Sequence, residues 1–348
     1  MAVRWGILGC AGIAEKFCAS VSRADNAEVA AVGSRSMEKA EQFIAENCPG
    51  AKAYGSYQEL LTDASIQAVY IPVPTTLKTD LALAAISAKK HILIEKPLIN
   101  VTDTQKMIDA CKSQGVQFMD NTMFVHNARQ LAMQKIMDDS ERFGRVKHVQ
   151  STFSIDLGND ETWAKDNIRM KKSLEPLGCL GDLGWYNIRF TLWAFKYALP
   201  TSVSCRYVEC TDEGVPTHVI GQMCFEGGRT AGFMCSFKSA FRDNAEVFGE
   251  KLSLSLEDFV VTSALDTAPF KVVKTGFGSK AETFPVEFKD EEVQCGVQHT
   301  AVVEAFSKMV LCGIDETWPG QTLGTQTVLD AMVLSASRDG AWLEVTRP

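Results

Sequence analysis

The chain reads as an α/β protein. A doubly wound parallel sheet comes first, and an α+β domain with a large, mostly antiparallel open sheet follows. Three observations predict this. Short apolar runs alternate with longer helical patterns through the first third of the chain, the rhythm of a parallel sheet covered on both faces. From about residue 145 the rhythm changes to longer strand-like runs in succession. The length, 348 residues, suggests two domains at roughly 100–200 residues each.

Val3–Leu8 opens the chain as a strand, and Val29–Ser34, Ala68–Ile71, His91–Glu95 and Gln117–Met119 are further short apolar runs of that kind. Between them, Met37–Glu46, Lys78–Ala88 and Thr104–Gln114 carry apolar residues at helical spacing. In the second half, Val146–Ile155, Ser202–Glu209, His218–Phe225 and Arg229–Phe237 read as strands, and Lys251–Ser255 and Ala281–Phe288 continue the set. Glu226-Gly227-Gly228 is a turn signal between two of them. Helical stretches near 182–198 and 297–312 interrupt or flank this second sheet. Residues 1–124 are expected to form the first domain and 125–348 the second, with a last helix near 322–338 returning to the first.

Apolar residues make up 46% of the chain and charged residues 22%, enough to fill real cores and ordinary for a water-soluble chain. With 35 Lys and Arg against 43 Asp and Glu, the net charge is −8. Non-specific nucleic-acid binding needs basic side chains on phosphates, so nucleic acid is not an expected partner. The eleven cysteines are an odd, scattered set without a C-x-x-C pair, which reads as reduced thiols and no metal site. No stretch reaches the roughly 20 apolar residues of a membrane span. The start of the chain runs directly into a strand, without a basic-then-apolar leader, so a cytoplasmic location is expected.

The opening Gly6-Ile-Leu-Gly9-Cys10-Ala11-Gly12-Ile13-Ala14 lies between a strand and a helix pattern, the setting of a dinucleotide-binding Rossmann turn. Such a turn needs a tight bend, a close backbone approach to the pyrophosphate and close helix–strand packing. Gly9 makes the bend, Ala11 stands where a second glycine is usual, and Ala14 fills the third, small position. The amides around Gly12 and Ile13 then face the phosphates. At the end of the second strand, where an acid would bind the ribose diol of NAD, the chain has Ser34-Arg35. A hydroxyl and a guanidinium suit a 2′-phosphate, so NADP(H) is the expected cofactor. The alternative is a plain helix cap beside a solvated charge.

His91-Ile-Leu-Ile-Glu95-Lys96-Pro97 ends a buried strand on a charged pair, and ligands of open α/β sheets bind beyond the carboxyl ends of strands. Proline restricts the backbone of Lys96 and so the direction in which its side chain leaves. The glycine turn and Glu95-Lys96-Pro97, with Gly178-Cys-Leu-Gly-Asp182-Leu-Gly-Trp-Tyr186 further on, together resemble the Gfo/Idh/MocA oxidoreductase family over essentially the whole chain. The tyrosine form of the last motif and Asn167-Ile168-Arg169 look closest to its dimeric dihydrodiol dehydrogenase/D-xylose dehydrogenase branch and plant-like relatives. The resemblance implies that Lys96 and Tyr186 share a proton transfer. Residues four apart on a helix share a face, so Asp182 and Tyr186 would point the same way. The same stripe continues through Phe190, Trp193 and Tyr197. Tyrosine is a poor base near pKa 10, and a nearby ammonium lowers that value. Lys96 is therefore expected to tune Tyr186, with Asp182 orienting the lysine or the substrate hydroxyl.

Many relatives carry an Asn and a His shortly after the fourth strand, where this chain has Thr75-Thr76-Leu77-Lys78. Pro72, Thr75 and Leu77 are expected to line the cofactor through backbone groups, together with Glu95. Lys89 stands where relatives commonly end a helix with glycine. Substrate is expected at Phe124 and Trp163 and at Arg169, which binds substrate oxygens or the cofactor, or makes a bridging ion pair. His126 reads as structural. Val219, Met223, Phe225, Phe233 and Phe237 are expected to cover a second copy, giving a homodimer or higher homo-oligomer. The expected activity is hydride transfer between NADP(H) and a small sugar, cyclic polyol, dihydrodiol or related carbonyl compound. A redox-assisted glycosidase and a non-catalytic NADPH-responsive binding protein are the rival readings.

Overall fold

The computed structural model describes residues 1–157, 167–275 and 286–346. They divide into two compact units. Unit 1 comprises Met1–His126, Ser173–Glu175 and Val297–Gln326, and unit 2 comprises Asn127–Lys172, Pro176–Gly296 and Thr327–Pro348.

Unit 1 holds a six-stranded sheet of β1 (Val3–Leu8), β2 (Ala27–Gly33), β3 (Lys52–Tyr54), β4 (Ala68–Ile71), β5 (His91–Ile94) and β6 (Phe118–Asp120). All neighbours pair in parallel, in the order β3-β2-β1-β4-β5-β6, with Ile7 opposite both Val32 and Tyr70. Helices α1 (Gly12–Val21), α2 (Met37–Asn47), α3 (Tyr57–Thr62), α4 (Lys78–Ser87) and α5 (Val101–Gln114) connect the strands. This is the doubly wound order, and its direction of winding reverses between β1 and β4. The central strands are continuous apolar runs because helices cover both faces. On one face Ile71, Ile92 and Ile94 pack with Ile86, Met107 and Phe118. Lys89 does end α4 with left-handed backbone, at φ 57°. The sequence reading passed over β3 and α3, since Lys52-Ala53-Tyr54 is a three-residue edge strand with no apolar run.

Unit 2 is built on a nine-stranded sheet among the described residues. Helix α6 (Ala128–Asp138) precedes β7 (Val146–Ser154), and α7 (Trp185–Ala194) follows it. The remaining strands are β8 (Ser202–Cys210), β9 (Pro216–Phe225), β10 (Arg229–Ser236), β11 (Arg242–Gly249), β12 (Ser253–Leu256), β13 (Thr267–Thr275), β14 (Val286–Gln294) and β15 (Leu343–Glu344). The order is β14-β13-β12-β11-β7-β10-β9-β8-β15, antiparallel throughout except where β10 meets β7. Every residue of α7 is buried, and the helix packs on β7 and β10. This overturns one expectation. Val219, Met223, Phe225, Phe233 and Phe237 are almost wholly buried inside the chain, so they are not free to cover a second copy. Strand alternation puts Val219 and Met223 on the buried face and Ile220 and Gln222 on the exposed one.

The chain closes with α8 (Gln298–Cys312) and α9 (Thr317–Ala336). The sequence reading set α8 against the second sheet, but it belongs to unit 1. The reason is Trp5. Its buried ring lies between Phe17 of α1 and Phe306 of α8, at 5.2 and 5.1 Å, and its Nε1 donates to Ser307 Oγ at 3.2 Å. Residues of α9 up to Gln326 belong to unit 1 and those from Thr327 to unit 2. All eleven cysteines are free. No helix among the described residues is long and apolar enough to cross a membrane.

A buried charge cluster ties down the segment after β12. Arg129 of α6 donates to Asp258 Oδ1 at 2.5 Å, to the Asp258 carbonyl at 2.7 Å and to the Pro269 carbonyl at 3.0 Å. Asp243 on β11 accepts from the Val260 and Val261 amides at 3.1 and 3.0 Å. Burial, reinforced by Asp258, pushes the Asp243 carboxyl up to about 6.

Arg129→Met removes the buried counter-charge of Asp258, leaving it the Ser263 amide at 2.7 Å, and should cost about 3–5 kcal/mol in a urea unfolding series. Because the folded pKa of Asp243 is raised, its stabilising contribution is fully present below its unfolded pKa of about 4 and is lost as pH rises through about 6. Asp243→Asn should remove that decline, so the stability difference between wild type and variant should change across this window. Parallel curves would contradict the assignment.

Candidate active site

The carboxyl ends of the unit 1 strands carry the first cluster. Gly9, just after β1, has φ 121°, a conformation that L side chains rarely adopt, and its amide donates to the Gly33 carbonyl at 2.9 Å. Ala11 stands at the N-terminus of α1 in extended conformation, and no side chain caps the helix. The first-turn amides of Gly12 and Ile13 are thus offered to a ligand. A Cβ added at Gly12 would meet nothing within 4 Å, while Ala14 is fully buried against the sheet. This turn fits a dinucleotide pyrophosphate, since the cradle is open and its donors are backbone N–H groups.

At the end of β2, Ser34 is buried and its hydroxyl accepts from the Ser36 amide at 3.3 Å. Ser36, not Ser34, caps α2, accepting from the Lys39 amide at 3.3 Å. Arg35 is exposed beside Tyr57, whose phenol is raised by burial while the guanidinium opposes that shift. Tyr57 Oη lies 3.6 Å from where a Gly9 Cβ would sit. Sequence reasoning missed this tyrosine, because nothing around residue 57 marks it.

Glu95 and Lys96 leave the end of β5. Glu95 Oε1 accepts from Tyr70 Oη at 2.5 Å and from Asn121 Nδ2 at 2.6 Å. Tyr70 on β4 stacks on Phe17 of α1 at 4.1 Å, so this carboxylate is held by the same aromatic column that seats Trp5. The Lys96-Pro97 peptide is cis. Pro72 is buried just past β4, Thr75 is fully buried, and Leu77 is half exposed. The Thr75 amide donates to Glu175 Oε1 at 3.0 Å, and Thr76 bonds to the Ser173 and Leu174 carbonyls. The short stretch Ser173–Glu175 is thereby part of unit 1. Phe124 has no exposed surface, so it offers no ring face to a substrate. His126 stacks on Trp318 at 4.5 Å, a structural contact.

Unit 2 carries the second cluster. Asp182 was expected one α-helical turn before Tyr186. It lies instead in a π-helical turn, Leu180–Gly184, which runs directly into α7. Such widened turns occur often at functional sites. The glycines make this approach possible. A Cβ at Gly178, where φ is 46°, would sit 2.2 Å from the Pro216 carbonyl, and one at Gly184 would sit 2.9 Å from Leu180 Cδ1. Tyr186 is buried except for a sliver, with its ring edge-on to Phe153 at 5.8 Å. Arg169 Nε donates to Asp182 Oδ2 at 2.7 Å, which makes Arg169 the partner of the motif's acid within unit 2. Phe190 and Trp193 of the expected inward stripe are buried and lie 5.3 Å apart. Trp163 lies outside the described residues. Lys96 belongs to unit 1, and Asp182 and Tyr186 belong to unit 2. Among the described residues no group of three His, Cys, Asp or Glu side chains is arranged to hold a metal ion.

The fold and the first cluster define an NAD(P)-binding oxidoreductase of the Rossmann type. Residues 3–122 match the oxidoreductase family with an NAD-binding Rossmann fold, and residues 131–255 match the GFO/IDH/MocA C-terminal domain. The chain belongs to the Gfo/Idh/MocA family. It is 32% identical over 352 residues to an uncharacterised oxidoreductase, ORF334, of Rhizobium meliloti, covering 98% of each chain. It is 33% identical to D-xylose 1-dehydrogenase (NADP(+)) 2 of Haloferax volcanii, covering 67% of this chain and 69% of that one. It is 28% identical to trans-1,2-dihydrobenzene-1,2-diol dehydrogenase of Danio rerio, covering 91% of each. In fold it is similar to the 3-ketoreductase KijD10 of Actinomadura kijaniata, solved with NADP and TDP-benzene. There the TM-score is 0.85 at 22% identity, over 96% of this chain and 98% of that one.

Tyr70→Phe removes a donor to the Glu95 carboxylate without opening a cavity. It should cost about 1.5–3 kcal/mol in thermal or urea unfolding, the range for a hydrogen bond to a charged group. An unchanged midpoint would mean that Glu95 is held without this phenol.

Proposed function

We propose that the protein is an NADP(H)-dependent oxidoreductase acting on CH–OH groups. Its substrate would be a sugar, a cyclic polyol, a trans-dihydrodiol or a related small carbonyl compound. The observation that carries this reading is Glu95-Lys96-Pro97 at the carboxyl end of β5, in the sheet whose β1 ends in the open Gly9 turn. The names of the Haloferax and Danio relatives, a D-xylose dehydrogenase and a dihydrodiol dehydrogenase, support the substrate class. NADP appears in the name of the first and in the Actinomadura complex.

When bound, the dinucleotide supplies or accepts the hydride. The chain's own residues do the rest. The Gly9 bend and the Gly12 and Ile13 amides receive the pyrophosphate, with Ala11 and Ala14 small enough to allow the approach. Arg35 grips the 2′-phosphate with paired donors, and Ser34 shapes the turn that presents it. Pro72, Thr75, Leu77 and Glu95 shape the wall at the ends of β4 and β5. Tyr186 gives its hydroxyl proton to the substrate oxygen in reduction and takes it back in oxidation, while the Lys96 ammonium stabilises the phenolate. Asp182, held by Arg169, orients the substrate hydroxyl. Trp163 is proposed at the substrate, and the working form is proposed to be a homodimer or higher homo-oligomer.

The test is NADP⁺ reduction across aldoses, inositols and trans-cyclic diols, with wild type beside Lys96→Ala and Arg35→Ala. Wild type should turn over one class, and Lys96→Ala should lose at least 100-fold, on the order of a general acid–base contribution. Arg35→Ala should raise KM for NADP⁺ by about 10- to 100-fold and leave NAD⁺ nearly unchanged, the size of a lost charge-assisted hydrogen bond. Cleavage of a chromogenic glycoside without added nucleotide would replace this reading with a redox-assisted glycosidase. Cofactor binding without turnover of anything would replace it with a binding protein.

A further inference from the structure

Lys78 is the first residue of α4, and it is 2% exposed. Lysine is almost never buried to that degree without partners. The position is also electrostatically adverse, because a helix N-terminus carries partial positive charge and disfavours a cation there. Helix stability therefore does not account for an ammonium at this place. Its contacts do. Lys78 Nζ donates to the Pro97 carbonyl at 2.7 Å and to Thr75 Oγ1 at 3.2 Å, and Thr75 Oγ1 itself lies 3.5 Å from that carbonyl. Thr75 is fully buried, and its amide is held by Glu175. The segment after β4 is thus clamped to the segment after β5, at the residue that directly follows Lys96.

We infer that Lys78 is a positioning residue for Lys96. By fixing the Pro97 carbonyl, its buried ammonium sets the backbone from which the Lys96 side chain departs. This rests on the proposed role of Lys96 in proton transfer. The effect works through geometry, and misplacement of a reacting group by about 1 Å can cost on the order of 100-fold in rate. The clamp is built from three neighbouring parts of unit 1: the Thr75 hydroxyl, the Lys78 ammonium and the Pro97 carbonyl.

The experiment compares wild type with Lys78→Met, which keeps the apolar stem and removes the donor. Lys78→Gln, which keeps a polar but shorter and uncharged side chain, is a milder second variant should Lys78→Met fail to fold. Three readouts are needed: NADPH affinity by fluorescence, the pH profile of kcat, and amide hydrogen exchange of peptides covering residues 95–100 against those covering β1 and β4. The expected result is NADPH affinity within about threefold and kcat lower by about 10- to 100-fold. The pH profile should shift, and exchange should be faster over 95–100 alone. A folded variant with wild-type kcat and pH profile overturns the inference, even if exchange rises. Wild type without turnover counts against the proposed function only. In that case faster exchange over 95–100 in the variant sustains the clamp, and unchanged exchange overturns it.

Discussion

Parallel pairing is the constraint on which unit 1 depends. Because β1 to β6 all run the same way, every strand delivers its last residue to one edge of the sheet. The order reverses between β1 and β4, so the helices that follow those two strands pack on opposite faces and leave a crevice between them. Gly9, Ser34, Pro72 and Glu95 lie far apart in the chain, yet all sit on or just past strand ends at that edge. The site therefore needs no long-range signal in the sequence. Each strand brings its own contribution as a local consequence of where it stops.

That edge is polar, and polar groups at low exposure have to be closed by partners. The chain meets this by pairing neighbouring strand ends. Glu95 draws on Tyr70 of β4 and on Asn121, just past β6. Asp120 accepts from the hydroxyls of Thr122 and of Thr322 on α9, so the last helix is pinned where the sheet ends. Lys78 closes the Pro97 carbonyl. The aromatic column Trp5–Phe17–Tyr70 runs beneath this network and joins it to the core, with Phe306 of α8 on its far side. A disturbance at Trp5 would thus be felt at Glu95 through two ring contacts and one hydrogen bond.

Much of this was legible in the sequence. Parallel strands buried on both faces are unbroken apolar runs, so Ala68–Ile71 and His91–Ile94 stood out, and a turn such as Gly9 to Ala14 has few alternatives between a strand and a helix. Other strands were less legible. Lys52–Tyr54 is too short to show a period, and Arg242–Gly249 alternates polar with buried residues of which two, Asp243 and Ala245, are not typical strand formers. The wrong assignment of Val219 and Phe233 to a partner surface has a clear cause. Alternation identifies a buried face but not what buries it, and here it is the turn Leu180–Gly184 with α7, a helix buried on every side. Partners such as Tyr70 for Glu95, or Arg169 for Asp182, are set by tertiary geometry and carry no local pattern.

The segment carrying Asp182 departs furthest from its sequence pattern, and its glycines explain how. An α-helical register would have given Asp182 and Tyr186 a shared face through ordinary i to i+4 spacing. The chain instead widens by one residue over Leu180–Gly184 before settling into α7. Widening costs regular hydrogen bonding, and it is tolerated where close packing compensates. Gly178 passes so near the Pro216 carbonyl that no side chain fits, and Gly184 packs closely against the side chains of Leu180 and Cys235. The contacts that exclude a Cβ are therefore the contacts that hold the turn. Arg169, from a separate short turn, Ile168–Met170, sets its guanidinium against the Asp182 carboxylate at 2.7 Å. A glycine-dependent turn and an ion pair from a second turn thus converge on one carboxylate.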